Sequence, residues 1–229
     1  MNDITIAILV IVGTLLAYII ARRIYQRFPS PLLLPLVGAT AIIVIILLIF
    51  QIPYETFMIG GDWINKFLGP AVVALALPLY QHRDTLVKLA IPLIVGSFIG
   101  AVVGILTGVY MTKWVGFDDE ILYSILPKSV TTPVAMDISQ SLGGIGSLAA
   151  LFVMIAGISG AMLSTYMYNI FRLTHPAGRG VALGAASHAI GTSKALENSE
   201  LEGSISTIAM ILSAVFVSII TPIVVQFLL

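Results

Sequence analysis

Two polar stretches interrupt a chain that is otherwise apolar enough for a bilayer. The first is Pro127-Lys128-Ser129-Val130-Thr131-Thr132-Pro133 and the second is Ser187-His188-Ala189-Ile190-Gly191-Thr192-Ser193-Lys194. Lipid solvates neither a bare backbone nor an ammonium, so such segments survive only inside protein or beside a water-filled cavity. Each proline ring removes an N–H and clashes with the preceding turn, so Pro127 and Pro133 predict a helix break. A helix restarting after a break aims free N–H groups into the gap, and its dipole favours an anion there. Lys128, Ser129, Thr131 and Thr132 would add a cation and hydroxyl donors, which together make a carboxylate cradle. The blander alternative is a snorkelling lysine with hydroxyls bonded back to their own helix.

In the second stretch Ser187, His188 and Thr192 are candidate substrate ligands, and Gly191 is a candidate break. Histidine as a residue type titrates near neutral pH, so His188 is a candidate proton carrier, or else a hydrogen-bonded packing histidine. Asp137 is a candidate for proton or ion coupling, for pairing with Lys128 or Lys194, or only for capping a helix. Both stretches need solvation, so one shared cavity facing Lys128 and His188 is expected, with Thr192 close by. Gly69, Pro70 and Pro78 mark a third break, to which Asn65 and Tyr80 could add a wall. Paired, short, Gly/Pro-interrupted segments point to a transporter substrate site.

The elements that must position these residues follow from composition. The 229 residues are 59% hydrophobic and 10% charged, with mean hydropathy +1.07. Soluble domains carry about 25% charged residues, so the expectation is an all-α polytopic membrane protein. At about 20 residues per span there is room for roughly six to eight spans, some broken or re-entrant. Lys+Arg and Asp+Glu balance at 11 each, which gives no electrostatic case for nucleic acid. The chain has no cysteine, which excludes disulfides, thiolate metal sites and cysteine nucleophiles. His82, His175 and His188 are too dispersed for a metal site, and no cofactor is expected. Gly157-Ile158-Ser159-Gly160 lacks the hydrolase G-x-S-x-G spacing, and neither H-E-x-x-H nor a Walker A loop is present. The reading is therefore not an enzyme and not an ATP-driven pump.

Clean spans are expected at Ile4–Ile20, Leu32–Phe50, Leu86–Met111, Gly143–Phe171 and Ser204–Leu229. Ile64–Tyr80 is expected as a broken helix after a polar loop at 51–63, and Gly180–Leu196 as its crossing, likewise broken counterpart. Gly96, Gly100, Gly104 and Gly108 form a ladder that lets another helix approach closely. Arg22, Arg23 and Arg27 read as topology determinants. With these arginines cytoplasmic, Arg172 and Arg179 fall on the same side only if Ile121–Leu142 dips in and returns. Glu197–Glu202 would then lie outside and the C-terminus inside. The whole chain reads as one transporter-like membrane domain, with an inverted repeat of 32–111 and 143–229 around a polar hairpin at 121–142 as one organisation.

Three stretches then resemble the LrgB/CidB family. They are Phe67–Tyr80, Leu126–Met136 with its P-K-S-V-T-T-P, and Arg179–Thr192 with its S-H-A-I-G-T. The likeness covers essentially the whole chain. It implies a multi-pass protein of the bacterial cell membrane with a small holin-like partner, LrgA or CidA. Members of that family are described as antiholin-like proteins restraining murein hydrolase activity and lysis. Other members are linked to pyruvate transport, and a related plastid protein carries glycolate and glycerate. The resemblance thus implies either a carrier of small monocarboxylates or an antiholin-like regulator acting through its partner, with homo-oligomerisation left open.

Overall fold

The computed structural model describes residues 2–28, 30, 33–67, 70, 73–74 and 76–228, with the backbone alone for Pro78 and Leu228. All regular structure among them is helical. The chain divides into two compact units, Met1–Ala76 and Leu77–Leu229.

In the first unit α1 (Asp3–Arg27) packs against α2 (Pro35–Ile49) and α3 (Tyr54–Asn65). Small residues set these approaches. Ala21 lies against Gly38, where an added Cβ would come within 3.1 Å of the alanine Cβ. A Cβ at Gly60 would lie 2.5 Å from Val10 Cβ and 2.8 Å from the Ala7 carbonyl. This corrects the expected polar loop at 51–63. Gly60-Gly61 looks like a turn in sequence, but Gly60 is the contact point that seats α3 on α1.

The short helix α4 (Ala76–Gln81), whose first residue ends the first unit, and α5 (Arg83–Lys88) lead into α6 (Ala90–Val115) of the second. The expected span from Leu86 is thus interrupted at Leu89. There follow α7 (Asp119–Ile125), α8 (Thr132–Ser141), α9 (Gly146–Ile170), α10 (Pro176–Asn198) and α11 (Glu200–Leu228). Helices α1, α6, α9 and α11 are long and apolar enough to cross a bilayer. The chain is an all-α polytopic membrane protein.

Helices α7 and α8 form a fold-back pair. Ser124 of α7 accepts a hydrogen bond from the Ile145 N–H at 2.8 Å, beyond the end of α8. A Cβ at Gly144 would touch both Ser139 and Ser124. Residues 126–131 form the tip between the two helices.

Helix α10 also folds back, where the sequence suggests only a break at Gly191. His188 has φ 41° and ψ −131°, inside what is otherwise helix. A straight helix would hold Leu183 and Gly191 about 12 Å apart. Instead a Cβ at Gly191 would lie 2.4 Å from the Leu183 carbonyl and 2.6 Å from Ser187 Cβ. Leu183 and Ala195 share one buried cluster with Tyr168. Helix α10 is therefore two antiparallel halves with His188 at the apex. Gly191 is glycine because the returning half passes over the departing backbone. This corrects the expected crossing of Gly180–Leu196. Glu197–Glu202 consequently lies at the same end of the unit as Arg172 and Arg179, and α11 runs toward the end that carries Asp118–Glu120.

Helix α11 follows the first half of α10 closely. A Cβ at Gly184 would lie 2.2 Å from the Ser206 carbonyl and 2.9 Å from Ala209 Cβ. Gly184→Ala therefore forces two helix backbones apart, and a loss of about 1–3 kcal/mol is expected. Gly13→Ala, with nothing within 4 Å of the new Cβ, should leave stability unchanged or raise it by up to about 1 kcal/mol. Thermal unfolding of both variants in one detergent checks the contrast; equal shifts would count against the tight α10–α11 seam.

Candidate functional site

The glycine ladder of α6 brings both polar stretches to one place. A Cβ at Gly96 would meet Val181 at 2.8 Å, and one at Gly100 would meet Ala185 at 2.9 Å. One at Gly104 would meet Ser129 Oγ at 3.1 Å, and one at Gly108 would meet Lys128 Nζ at 3.3 Å. The α10 hairpin thus climbs α6 from its N-terminal end, over Gly96 and Gly100. The α7–α8 hairpin descends from the C-terminal end, over Gly108 and Gly104. One further turn past Ala185 carries His188 to the level of Gly104, near the midpoint of α6. The two hairpins thus reach neighbouring turns of α6 from opposite ends of the unit.

Helix α9 runs opposite to the first half of α10. Tyr168 donates from its hydroxyl to the Arg179 carbonyl at 3.3 Å, Gly160 faces Ser187 and Gly157 faces His188. The span α6 precedes the α7–α8 hairpin and the span α9 precedes the α10 hairpin, and these two spans run in opposite directions.

Both hairpins lie on α6, but the side chains at their tips are aimed at different helices. Lys128 Nζ donates to the Gly104 carbonyl and approaches Thr107 Oγ1 at 3.4 Å. Thr107 Oγ1 itself donates to the Gly104 carbonyl at 2.9 Å. The ammonium thus rests on neutral oxygens of α6, and its remaining donor capacity is open. Ser129 is 5% exposed, and its hydroxyl has no hydrogen-bond partner. Thr131 is the N-cap of α8 and Thr132 its first residue, with Pro133 in the first turn, where a missing N–H costs nothing.

His188 is buried, and its Nε2 lies 3.0 Å from the Val153 carbonyl of α9. Thr192 donates to the His188 carbonyl at 2.9 Å and lies 2.9 Å from Ser206 Oγ. Ser187 is buried against Gly160. No hydrogen bond joins Lys128 to His188. Val130 and Val153, beside each of them, belong to one buried apolar cluster. Asp137 is exposed on α8, Lys128 takes a backbone carbonyl as its partner, and Lys194 pairs with Glu197 at 2.9 Å. Pro70 and Pro78 lie in helical residues, and Gly69 falls outside the described residues. No group of three or more His, Cys, Asp or Glu among the described residues could hold a metal. Sequence reasoning passed over Gly104 and Val153, because backbone carbonyls carry no residue-type signal, and over the Thr107 hydroxyl, because a lone threonine in a span is unremarkable.

The LrgB-like family model matches residues 14–227. The chain belongs to the LrgB-like family. It is 47% identical to the uncharacterized protein YxaC of Bacillus subtilis, over 98% of each chain. It is 37% identical to the Holin-like protein CidB of Staphylococcus aureus, over 97% of each. It is 34% identical to the Holin-like protein CidB of Staphylococcus epidermidis, over 97% of each. No solved structure matches. Both polar stretches lie within the family match, so the hairpin tips belong to the part of the chain that this LrgB-like protein has in common with the family.

Proposed function

We propose that this chain is an antiholin-like regulator of murein hydrolase activity and cell lysis. On this reading it acts in the bacterial cell membrane through a small LrgA/CidA-like partner. The observation that carries it is the similarity to Holin-like protein CidB over nearly the full length of both proteins. The apolar helices α1, α6, α9 and α11 supply the lipid-facing surface that such assembly needs. Neither this reading nor the next assigns the chain a catalytic reaction or a cofactor. The test is to delete the chain, its partner or both from a host that encodes them, then measure murein hydrolase activity and the onset of lysis. Removing the chain should change both, and restoring it should require the partner. A lysis profile that never responds to the chain would sink the reading.

A second reading is favoured by one specific observation: two hairpins enter from opposite ends and reach successive turns of α6, one over Gly104 and the other over Gly100. Broken helices that meet at mid-span are the usual makings of a secondary-carrier site. On that reading the chain carries small monocarboxylates of the pyruvate, glycolate or glycerate class. The carboxylate would approach the start of α8 and the open donor of Lys128. Its 2-oxo or 2-hydroxy oxygen would meet Ser129, Thr131 or Thr132. Ser187, His188 and Thr192 would shape the opposing tip, and proton coupling through His188 or Asp137 belongs to this reading alone. A pure interaction protein gains nothing from a lysine and unpartnered hydroxyls at membrane depth. Pyruvate uptake into liposomes holding the purified chain, with and without the partner, tests it. Uptake no faster than in empty liposomes under both conditions removes the carrier.

A further inference from the structure

The first unit carries a charge imbalance that neither reading uses. Its acidic residues in sequence are Asp3, Glu55 and Asp62. Asp3 opens α1, and α3, which bears the other two, is seated on Ala7 and Val10 through Gly60. Arg22, Arg23 and Arg27 close α1, about 28 Å from Asp3 along a regular helix. No ion pair of the described residues involves Arg22 or Arg23.

Between these arginines lies a hollow of about 320 Å³ lined by Tyr18, Ile19, Arg22, Arg23 and Gln26. The residues around it carry two guanidinium forks, a phenol hydroxyl and a side-chain amide. Tyr18, Arg22 and Gln26 succeed one another at four-residue steps, and Ile19 and Arg23 form the neighbouring stripe. The arc therefore has a polar end at Arg22, Arg23 and Gln26 and a less polar end, one turn deeper, at Tyr18 and Ile19. Buried Ala17 and Ala21 mark the face of α1 turned the other way, against its own unit. Two unpaired guanidinium groups on adjacent residues repel one another, and a bound anion relieves that repulsion. Planar forks suit phosphate oxygens in particular. The apolar end, reaching toward the membrane core, favours a phosphate that carries an acyl tail over a free one.

We propose that the hollow between Arg22 and Arg23 holds the phosphate headgroup of an anionic phospholipid, with Tyr18 and Ile19 along the start of its acyl chains. The assignment concerns α1 alone and does not depend on whether the protein regulates lysis or carries a solute.

The test uses the purified full chain in neutral detergent. Phosphatidylglycerol, phosphatidylcholine or inorganic phosphate is added, and binding is read by native mass spectrometry together with the thermal midpoint. Phosphatidylglycerol should bind and raise the midpoint; phosphatidylcholine should not. Arg22→Gln with Arg23→Gln should weaken phosphatidylglycerol binding by about tenfold or more, since two charge-assisted contacts are lost. Arg22→Lys with Arg23→Lys keeps the charge that orients α1 but loses the forks, so it should bind at an intermediate level. Phosphatidylglycerol bound equally by wild type and the glutamine variant overturns the site. Equal binding of phosphatidylcholine by the wild type overturns its charge selectivity, and an equal response to inorganic phosphate overturns the lipid as its source. If the glutamine variant fails to fold, the lysine variant decides: binding unchanged from wild type overturns the bidentate assignment.

Discussion

Mild oxidation of a chain carrying Gly104→Cys and Ser129→Cys should close a disulfide nearly completely and pin the tip of the first hairpin to α6. An ideal Cβ at Gly104 lies 3.6 Å from Ser129 Cβ, inside the window of about 3.5–4.5 Å that a disulfide needs. The chain has no cysteine of its own, so no other bond competes. Closing a loop of this length should stabilise the folded state by about 3 kcal/mol. A second pair, Gly100→Cys with Ala185→Cys, brackets the result. Its Cβ atoms would lie 2.9 Å apart, too close for an unstrained bridge, so it should close more slowly and stabilise less. On the carrier reading, uptake should be lost on oxidation of the first pair and return with reductant, because a hairpin bonded to α6 cannot release its tip. On the regulator reading, a folded, oxidised protein should retain its effect on lysis. Failure of the first pair to close in folded protein would show that the tip is not seated on Gly104.

That geometry explains which parts of the structure were legible in the residues. Apolar runs of span length stand out, so α1, α6, α9 and α11 were readable from hydropathy, as was the helical class. The interruption between α7 and α8 falls where two prolines flank a lysine. The reversal in α10 is different, because no proline marks it. Its traces are the polar stretch at Ser187–Lys194, the candidate break at Gly191, and Gly180 and Gly184, and none of these distinguishes a broken crossing from a reversal. Their meaning appears only when the second backbone is in place: Leu183 beneath Gly191, Ser206 beneath Gly184. The same blindness hid α3, whose Gly60 reads as a turn until α1 lies against it. Of the candidate site, proximity of the two tips is explained by the ladder on α6. The aim of Lys128 and His188 was beyond sequence, since both reach backbone carbonyls that any residue type presents.

At His188 the usual order of helix substitutions should reverse. In an ordinary helix interior glycine is about 1 kcal/mol worse than alanine. Residue 188, however, has φ 41° and ψ −131°, where a Cβ is crowded and a non-glycine residue carries strain of about 1–3 kcal/mol. The wild-type imidazole holds that conformation by its contact with the Val153 carbonyl. It also fills the space over Gly157, where a Cβ would come within 2.6 Å of the ring. His188→Ala keeps the strain and loses both the hydrogen bond and the packing, so a loss of about 3 kcal/mol is expected. His188→Gly loses the same contacts but releases the strain, so it should be the more stable of the two by about 1 kcal/mol. Chemical denaturation in one detergent ranks the three proteins. An alanine variant more stable than the glycine variant would mean that residue 188 is ordinary helix, and that α10 crosses rather than returns. The expected order, with glycine above alanine, would place the fold-back apex at His188 without any appeal to function.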